Sequence, residues 1–227
     1  MVHACLPLTS QRDVRGVAML GAQFSAIQND HVAISSKHKT CRRYNVPGHA
    51  HALTFSCYRR QAFLADDHAR EWFLDALEPA RGRCRFDLWA YEIMPEHVHA
   101  LIYPHGADYS MARILSALKQ PVSKRMILSA RLENPQLLSR MIDKQPNAVN
   151  HLRFWQRGGG YDRNLWSPKH IWETIDYIHA NPVRRGLCDV DTDWEWSSAR
   201  AYRDDTQLRT TIDMQSLPDD PRTLNMY

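Results

Sequence analysis

The sequence predicts an α+β fold in which helices pack on one antiparallel sheet, and three observations support this prediction. Of the 227 residues, 44% are hydrophobic, which is enough for a buried core. Segments rich in strand-forming residues alternate with segments that have helical periodicity. Two of the strand-like segments are separated only by a short proline-containing turn, so they are expected to pair as an antiparallel hairpin.

The first half of the chain predicts a strand, a helix and a β-hairpin. Strand-forming residues concentrate in three short segments, and the apolar residues between the first two repeat at helical spacing. An aspartate precedes the helical segment and can cap it. The predicted elements are a strand over 50–58, a helix from Asp66 or Asp67 to about Arg81, and strands over 85–94 and 97–103.

The second half predicts two further helices and a fourth strand. Ser110 can cap the first of these helices, and Pro121 should bend or interrupt it. Residues 132–150 are polar and contain two prolines, which predicts an irregular insertion. A strand is expected over 152–157, before a glycine loop. The last helix begins after Ser167, with proline at its favoured first position.

These elements follow the order β-α-β-β-α-β, with one more helix after the last strand. That order is typical of the ferredoxin-like, or RRM-like, fold, an antiparallel sheet with helices packed on it. The N-terminal residues 1–41 lack a sustained period and predict a poorly ordered extension. The main domain is expected over 42–203, with an acidic C-terminal tail over 204–227.

The composition points to a cytoplasmic protein. Five cysteines lie far apart without a CxxC motif, which is typical of reduced thiols and unlike a disulfide framework or a zinc knuckle. No apolar run is long enough to span a membrane, and the first 23 residues lack the pattern of a secretory signal. The formal net charge of +4 permits a nucleic-acid partner without demanding one.

Basic residues concentrate in two stretches. Residues 36–60 carry six Lys or Arg and no acid, and residues 111–144 carry seven against two acids. One such stretch is commonly a solvated face. Two of them in one small chain favour a partner with a phosphate backbone.

The first motif that could carry chemistry is His97-Val98-His99, within the predicted third strand. Alternate residues of a strand point to the same face, so the two imidazoles can hold one divalent metal ion. A third ligand must then come from elsewhere. Both histidines could instead be ordinary hydrogen-bonded side chains. His49-Ala50-His51 has the same spacing, and spacing alone cannot separate the two pairs.

The second motif places Tyr177 and Asn181 one turn apart on the last helix. The carboxamide oxygen of Asn181 can be a third metal ligand or accept a hydrogen bond. The phenol of Tyr177 can attack phosphorus, but a phenol with a pKa of about 10 needs help from a metal ion. The alternatives are a tyrosine at the rim of the fold and an asparagine that ends a helix.

Four segments together resemble one protein family. They are Tyr91-Glu-Ile-Met-Pro-Glu-His-Val-His-Ala-Leu-Ile-Tyr103, Phe154-Trp-Gln-Arg157 with Tyr161-Asp-Arg163, Tyr177-Ile-His-Ala-Asn-Pro-Val-Arg-Arg-Gly-Leu187, and Asp193-Trp-Glu-Trp-Ser-Ser198. In this order they resemble the REP-associated tyrosine transposases. These are a branch of the insertion-sequence-200-like transposases, within the HUH single-strand endonucleases. The resemblance covers residues 42–203.

The resemblance implies a role for each candidate residue. His97 and His99 correspond to the metal ligands of the family, and Tyr177 to its nucleophile. Asn181 would be the third ligand, where many relatives carry glutamine, and the metal would be Mg²⁺ or Mn²⁺. Tyr161, which follows the glycine loop, is a rival for the role of nucleophile.

The implied activity is cleavage and rejoining of single-stranded DNA near palindromic repeat hairpins, through a 5′-phosphotyrosine link. The expected partners are single-stranded DNA and DNA hairpins at the nucleoid. No nucleotide cofactor is expected, because the covalent link preserves the phosphodiester energy. Whether the protein is a monomer or a homodimer stays open. The residues expected to bind DNA are Arg42, Arg43, Lys119, Arg184 and Arg185.

Two other functions remain open from the sequence. The first is a domesticated protein that binds hairpins but does not cleave them. The second is a zinc hydrolase that uses the HxH pair. Such an enzyme would need a third His or acidic ligand and a general base. Glu92 and Glu96 are near in sequence, but the sequence does not place either of them clearly on the histidine face.

Overall fold

A computed structural model describes residues 44–146, 149–203 and 208–223. The expected N-terminal extension lies outside the described residues. Short 3₁₀ turns connect several of the elements. The strands are β1 (Ala50–Ser56), β2 (Phe86–Ile93), β3 (His97–Pro104), β4 (Ile142–Lys144), β5 (Asn150–Leu152) and β6 (Tyr161–Leu165). The helices are α1 (Asp67–Cys84), α2 (Met111–Glu133), α3 (Pro135–Met141), α4 (Pro168–His179) and α5 (Asn181–Arg184).

The main sheet has the strand order β2-β3-β1-β6, and every neighbouring pair is antiparallel. The predicted α+β fold with an antiparallel sheet is therefore confirmed. The four strands and the helices α1 and α2 follow one another in the order β-α-β-β-α-β. Helix α3 and the small hairpin β4–β5 are inserted between α2 and β6.

The two predicted caps lie at the beginnings of α1 and α2. The Asp66 carboxylate accepts a hydrogen bond from the Ala69 amide, and the Ser110 hydroxyl accepts one from the Arg113 amide. Pro121 does not interrupt α2, which is continuous from Met111 to Glu133. Proline removes one helical hydrogen bond, but Leu118, Val122 and Met126 on the same helix are buried in the core and hold it in place.

Two predictions for the second half were wrong. The fourth strand of the sheet is β6, and residues 152–157 do not supply it. Their apolar character has another cause, since Phe154 and Trp155 anchor this segment in the hydrophobic core. Residues 132–150 contain the end of α2, α3 and the hairpin β4–β5, where an irregular insertion was expected. The side chain of Met141 is buried in the core and attaches this insertion to it.

The described part of the expected acidic tail lies against β2 and α4. The Arg81 guanidinium is 2.6 Å from the Asp213 carboxylate. The Trp89 indole donates to the Ser216 hydroxyl at 2.9 Å, and the Trp172 indole donates to the carbonyl of Pro218 at 2.9 Å. Within the described residues, none of the helices combines the length and apolar character that a membrane crossing requires.

The sheet has a hydrophobic core on each face. The core to which a side chain belongs therefore shows on which face of the sheet that side chain lies. Val98, Ala100 and Ile102 belong to the core beneath α1 and α2. Leu101 packs with the isoleucines of α4 on the opposite face. Because side chains alternate along a strand, His97 and His99 lie on the same face as Leu101, which is the α4 face.

Candidate active site

His97 and His99 converge on one point of the α4 face. Their Nε2 atoms are 2.9 Å apart, and the two rings are nearly perpendicular, at 85°. The side chains are largely buried, with 7% and 6% of their surfaces exposed. Val98 between them is buried in the opposite core and fixes the orientation of both histidines. The strand therefore presents two imidazole nitrogens together.

The other ring nitrogen of each histidine contacts a polar neighbour. The Nδ1 atom of His99 is hydrogen-bonded to the Thr54 hydroxyl at 2.8 Å. The Nδ1 atom of His97 lies 3.2 Å from a Glu96 carboxylate oxygen, a charge contact without hydrogen-bond geometry. Metal-binding histidines usually have such an outer partner, which holds the proton on one nitrogen and leaves the other available.

Both histidines are uncharged near neutral pH. Burial, with smaller contributions from His97 and Arg60, lowers the pKa of His99 to about 3. Burial also lowers the pKa of His97, although the Glu96 carboxylate opposes this shift. A neutral imidazole has one nitrogen lone pair, and only that form binds a metal ion.

The contact between the two Nε2 atoms is a hydrogen bond from one ring to the other, at 2.9 Å. Two imidazole nitrogens on one face could also be ligands of one divalent metal ion. Among the residues that the structure describes, no three His, Cys, Asp or Glu side chains are placed to share a metal ion.

Helix α4 brings Tyr177 to the histidines. Ile171, Ile175 and Ile178 attach the helix to the sheet. The half-buried Tyr177 ring packs edge-on against the His99 ring, with a centroid distance of 5.7 Å. The sequence thus places a phenol beside the paired imidazoles, although the two motifs are about 80 residues apart.

Asn181 closes the end of α4. Its side-chain nitrogen donates to the carbonyl oxygen of Tyr177 at 2.7 Å and to that of Ile178 at 3.3 Å. Both partners are carbonyl acceptors, so the atom that faces them is the amide nitrogen, which is a donor only. The amide oxygen is therefore the one atom of this side chain that could bind a metal ion. The asparagine is therefore part of the helix end that carries Tyr177.

Two glutamates lie beside the histidines, and the sequence did not place them. Glu92 is the cross-strand partner of His99, on the same face, and is fully buried. Burial raises its pKa to about 9, so the carboxyl is protonated at neutral pH. The register of the β2–β3 hairpin is the signal that could have located Glu92, because it pairs Glu92 with His99 across the Pro95–Glu96 turn. Glu96 itself contacts His97, as described above.

Glu96 also binds two arginines. Its carboxylate accepts from Arg185 at 2.8 Å and lies 3.5 Å from Arg60. Burial opposes ionisation, but His97 and the two arginines together hold the pKa of Glu96 below its ordinary value. An ionised carboxylate thus connects the His97 side of the site to the segment that follows α4.

The described residues that were expected to bind DNA lie in different places. The Arg184 guanidinium stands 5.2 Å from the centre of the Tyr177 ring, and Arg185 binds Glu96, so both flank the histidines. The Lys119 ammonium donates to the Gly158 carbonyl at 2.9 Å, beside the core aromatics, and so holds the glycine loop. Arg42 and Arg43 lie outside the described residues.

The two candidate tyrosines occupy different positions on the α4 face. Tyr161 begins β6 and pairs with Thr54 across the sheet, two strands away from His99. Tyr177 packs directly on the His99 ring. The geometry therefore favours Tyr177 as the phenol that serves the histidine pair.

A family model supports the motif-based interpretation. The model described as "Transposase IS200 like" matches residues 47–181, a range that includes both histidines, Tyr177 and Asn181. The chain belongs to the IS200-like transposase family. This membership confirms the family that the four sequence motifs indicated. It also agrees with the structure, in which the motifs of this IS200-like transposase meet at one end of the sheet although they are distant in sequence.

The chain is also similar to three individual proteins. A protein of Haemophilus influenzae, named as a REP-associated tyrosine transposase, is 25% identical over 157 residues, which are 69% of this chain and 83% of the relative. A solved REP-associated tyrosine transposase bound to a REP hairpin has a TM-score of 0.50 and 22% identity, over 70% of this chain and 82% of that one. A Deinococcus radiodurans protein described as a transposase has a TM-score of 0.37 and 22% identity, over 64% and 96% of the two chains.

Proposed function

We propose that this IS200-like transposase cuts and rejoins single-stranded DNA through a covalent link to Tyr177, in a reaction that depends on Mg²⁺ or Mn²⁺. One observation carries the proposal: the Tyr177 ring packs on His99, whose Nε2 atom meets that of His97 at 2.9 Å. A phenol and two imidazole nitrogens thus share one place, and we assign to them the roles of nucleophile and metal ligands.

Each residue of the site has a role in this proposal. The Nε2 atoms of His97 and His99 would hold the metal ion, and the Asn181 amide oxygen would be the third protein ligand. When bound, the ion neutralises charge on the scissile phosphate. Arg184, beside the Tyr177 ring, and Arg185, bound to Glu96, would bind phosphates beside the scissile one.

The proposed reaction exchanges one phosphoester for another. The Tyr177 oxygen bonds to phosphorus and gives up its proton, while the bond from phosphorus to the 3′ oxygen breaks and that oxygen takes a proton. The products are a 5′-phosphotyrosine link and a 3′-hydroxyl. In the reverse step a 3′-hydroxyl attacks phosphorus and releases Tyr177. Each step makes and breaks one ester bond, so no nucleotide cofactor is consumed.

The proposed substrate is DNA near a palindromic hairpin. A structural neighbour is described as bound to a REP hairpin, and the Haemophilus relative is named for the same repeats. The two basic stretches of this chain suit a phosphate backbone. We therefore propose hairpin DNA with an adjoining single strand as the partner.

The test is a covalent-adduct assay with 5′- and 3′-labelled single-stranded DNA that carries a hairpin. With Mn²⁺ we expect a labelled protein band on a denaturing gel and no such band with a chelator. Tyr177→Phe should give no adduct, whereas the matched variant Tyr161→Phe should keep it. An adduct in Tyr177→Phe would show that another residue is the nucleophile.

The same assay separates the two other functions. Hairpin binding by the unaltered protein, without any adduct, would indicate a protein that binds and does not cleave. Metal-dependent shortening of the DNA without an adduct would indicate a hydrolase that uses a metal-bound water. Either result would overturn the proposed covalent chemistry.

A further inference from the structure

Strand β6 is one of the two edge strands of the described sheet, and β1 separates it from β3, which carries His97 and His99. Its residues Tyr161, Arg163 and Leu165 alternate on one side. Leu165 packs beneath α4 in the second core. Tyr161 and Arg163 therefore lie on the α4 face, which also carries His97 and His99.

Tyr161 stands in a cross-strand row with the catalytic histidine. The register pairs Tyr161 with Thr54, and Thr54 with His99. The hydrogen bond between Thr54 and His99 shows that the side chains of this row meet on one face. Strands lie about 4.8 Å apart, so Tyr161 begins about 10 Å from His99.

Helix α4 does not cover this part of the sheet. Tyr161 is 53% exposed, and Arg163 is exposed beside it. Their neighbours on β1, Ala52 and Thr54, are partly exposed. Within the described residues, Arg163 has no carboxylate partner. An exposed phenol ring and a cation thus lie side by side on an otherwise weakly polar surface.

The backbone beside Tyr161 is held firmly to β1. Gly160 has a φ of +78°, and a Cβ atom there would stand 2.1 Å from the Thr54 carbonyl oxygen. Only glycine permits so close an approach. Lys119 holds the same loop through the Gly158 carbonyl. The backbone that carries Tyr161 is therefore fixed, which lowers the ordering cost of stacking a base on its ring.

We propose that Tyr161 and Arg163 hold the single DNA strand beside the active site, with Tyr161 stacking on a base and Arg163 binding a phosphate. This inference deepens the proposed function and rests on it for the identity of the ligand. Aromatic side chains with interleaved cations bind single strands with little sequence preference, because every base has a flat face. Tyr161 would thus be a substrate-binding residue, and Tyr177 the nucleophile.

The test measures binding without chemistry. A fluorescent single strand that lacks a hairpin is titrated with protein in chelator, and anisotropy gives the dissociation constant. Tyr161→Ala should weaken binding about 5-fold to 150-fold, the range expected for one stacked base. Tyr161→Phe keeps the flat ring and should bind like the unaltered protein. The thermal unfolding of each variant shows whether the fold is kept.

Arg163 is tested through the salt dependence. One lost phosphate contact should lower the slope of log affinity against log salt by about 0.7 for a single strand. Arg83→Ala is the matched control, because Arg83 is an exposed arginine on α1, which covers the opposite face, and it lies outside the two basic stretches. This variant should leave both affinity and slope unchanged.

The outcomes separate this inference from the proposed function. Equal affinity of Tyr161→Ala and the unaltered protein, or equal weakening by Tyr161→Phe and Tyr161→Ala, would overturn the stacking role. An unchanged salt slope in Arg163→Ala would overturn the phosphate contact. Because these measurements use chelator, they do not depend on cleavage. The adduct assay on the unaltered protein decides the covalent chemistry independently.

Discussion

His49-Ala50-His51 and His97-Val98-His99 have the same spacing, yet the sheet gives them opposite surroundings. Val98 belongs to the core beneath α1 and α2, whereas Ala50 belongs to the core beneath α4. The side chains that flank these two residues therefore point to opposite faces. His97 and His99 lie on the face that α4 and Tyr177 share, and His51 lies on the other.

The ring nitrogens of the two motifs are used differently. His51 is hydrogen-bonded at 2.7 Å to the Asp162 carboxylate and at 2.7 Å to the Tyr109 hydroxyl. The His49 ring stacks on Trp166, with a centroid distance of 5.2 Å. In contrast, one nitrogen from each of His97 and His99 is directed at a common point. Spacing sets which residues share a face, but the partners of each ring determine whether a metal can bind.

The largest effect that would sharpen this comparison is expected from His51→Ala. The side chain is fully buried, and its loss removes a buried contact with the Asp162 carboxylate and a hydrogen bond with the Tyr109 hydroxyl. We expect the free energy of unfolding to fall by about 3–5 kcal/mol, measured by urea denaturation. Tyr109→Phe keeps the ring, removes the hydroxyl's hydrogen bonds with His51 and the Val46 carbonyl, and should cost less, about 1–3 kcal/mol.

The affinity of the His51→Ala variant for Mn²⁺ provides the contrast. It should equal that of the unaltered protein at a temperature where the variant is folded, because His51 faces away from the site. A large loss of Mn²⁺ affinity in this variant would mean that the two motifs are not functionally distinct.

The next effect concerns the other motif. His99→Ala removes one of the two proposed metal ligands. We expect it to weaken Mn²⁺ binding by more than about 100-fold in a calorimetric titration, since loss of an outer partner alone typically costs 10- to 100-fold. His49→Ala is the matched control, because it removes a histidine from the same spacing in the other motif. Equal affinity of the two variants would contradict the proposed metal site.

Much of the fold could be predicted from the sequence because local signals agreed with the tertiary structure. The hairpin around Pro95 and the caps at Asp66 and Ser110 depend on nearby residues alone. The fourth strand could not be predicted in the same way. Phe154 and Trp155 resemble strand residues, yet their burial anchors a loop, while the polar β6 forms the edge of the sheet.

The meeting of His99 with Tyr177 was predictable only through the resemblance to a family, because no local pattern joins residues so far apart. The position of Glu92 beside His99 was not predicted at all. It follows from the register of the β2–β3 hairpin, which pairs the two residues directly. A one-residue shift of that register would turn Glu92 to the opposite face.

The smallest effect tests the partners that orient each ring. Thr54→Val keeps the shape of the side chain and removes the hydroxyl that is hydrogen-bonded to His99. The His99 ring then loses its outer partner, so we expect Mn²⁺ affinity to fall by about 10-fold. Thr54→Ser keeps the hydroxyl and should restore most of the affinity. If Thr54→Ser weakened Mn²⁺ binding as much as Thr54→Val, packing of the methyl group would explain the loss, and the hydrogen bond would not. An effect confined to Thr54→Val would show that metal binding by the histidine pair depends on the hydroxyl that orients the His99 ring. The spacing of the two histidines does not reveal this dependence.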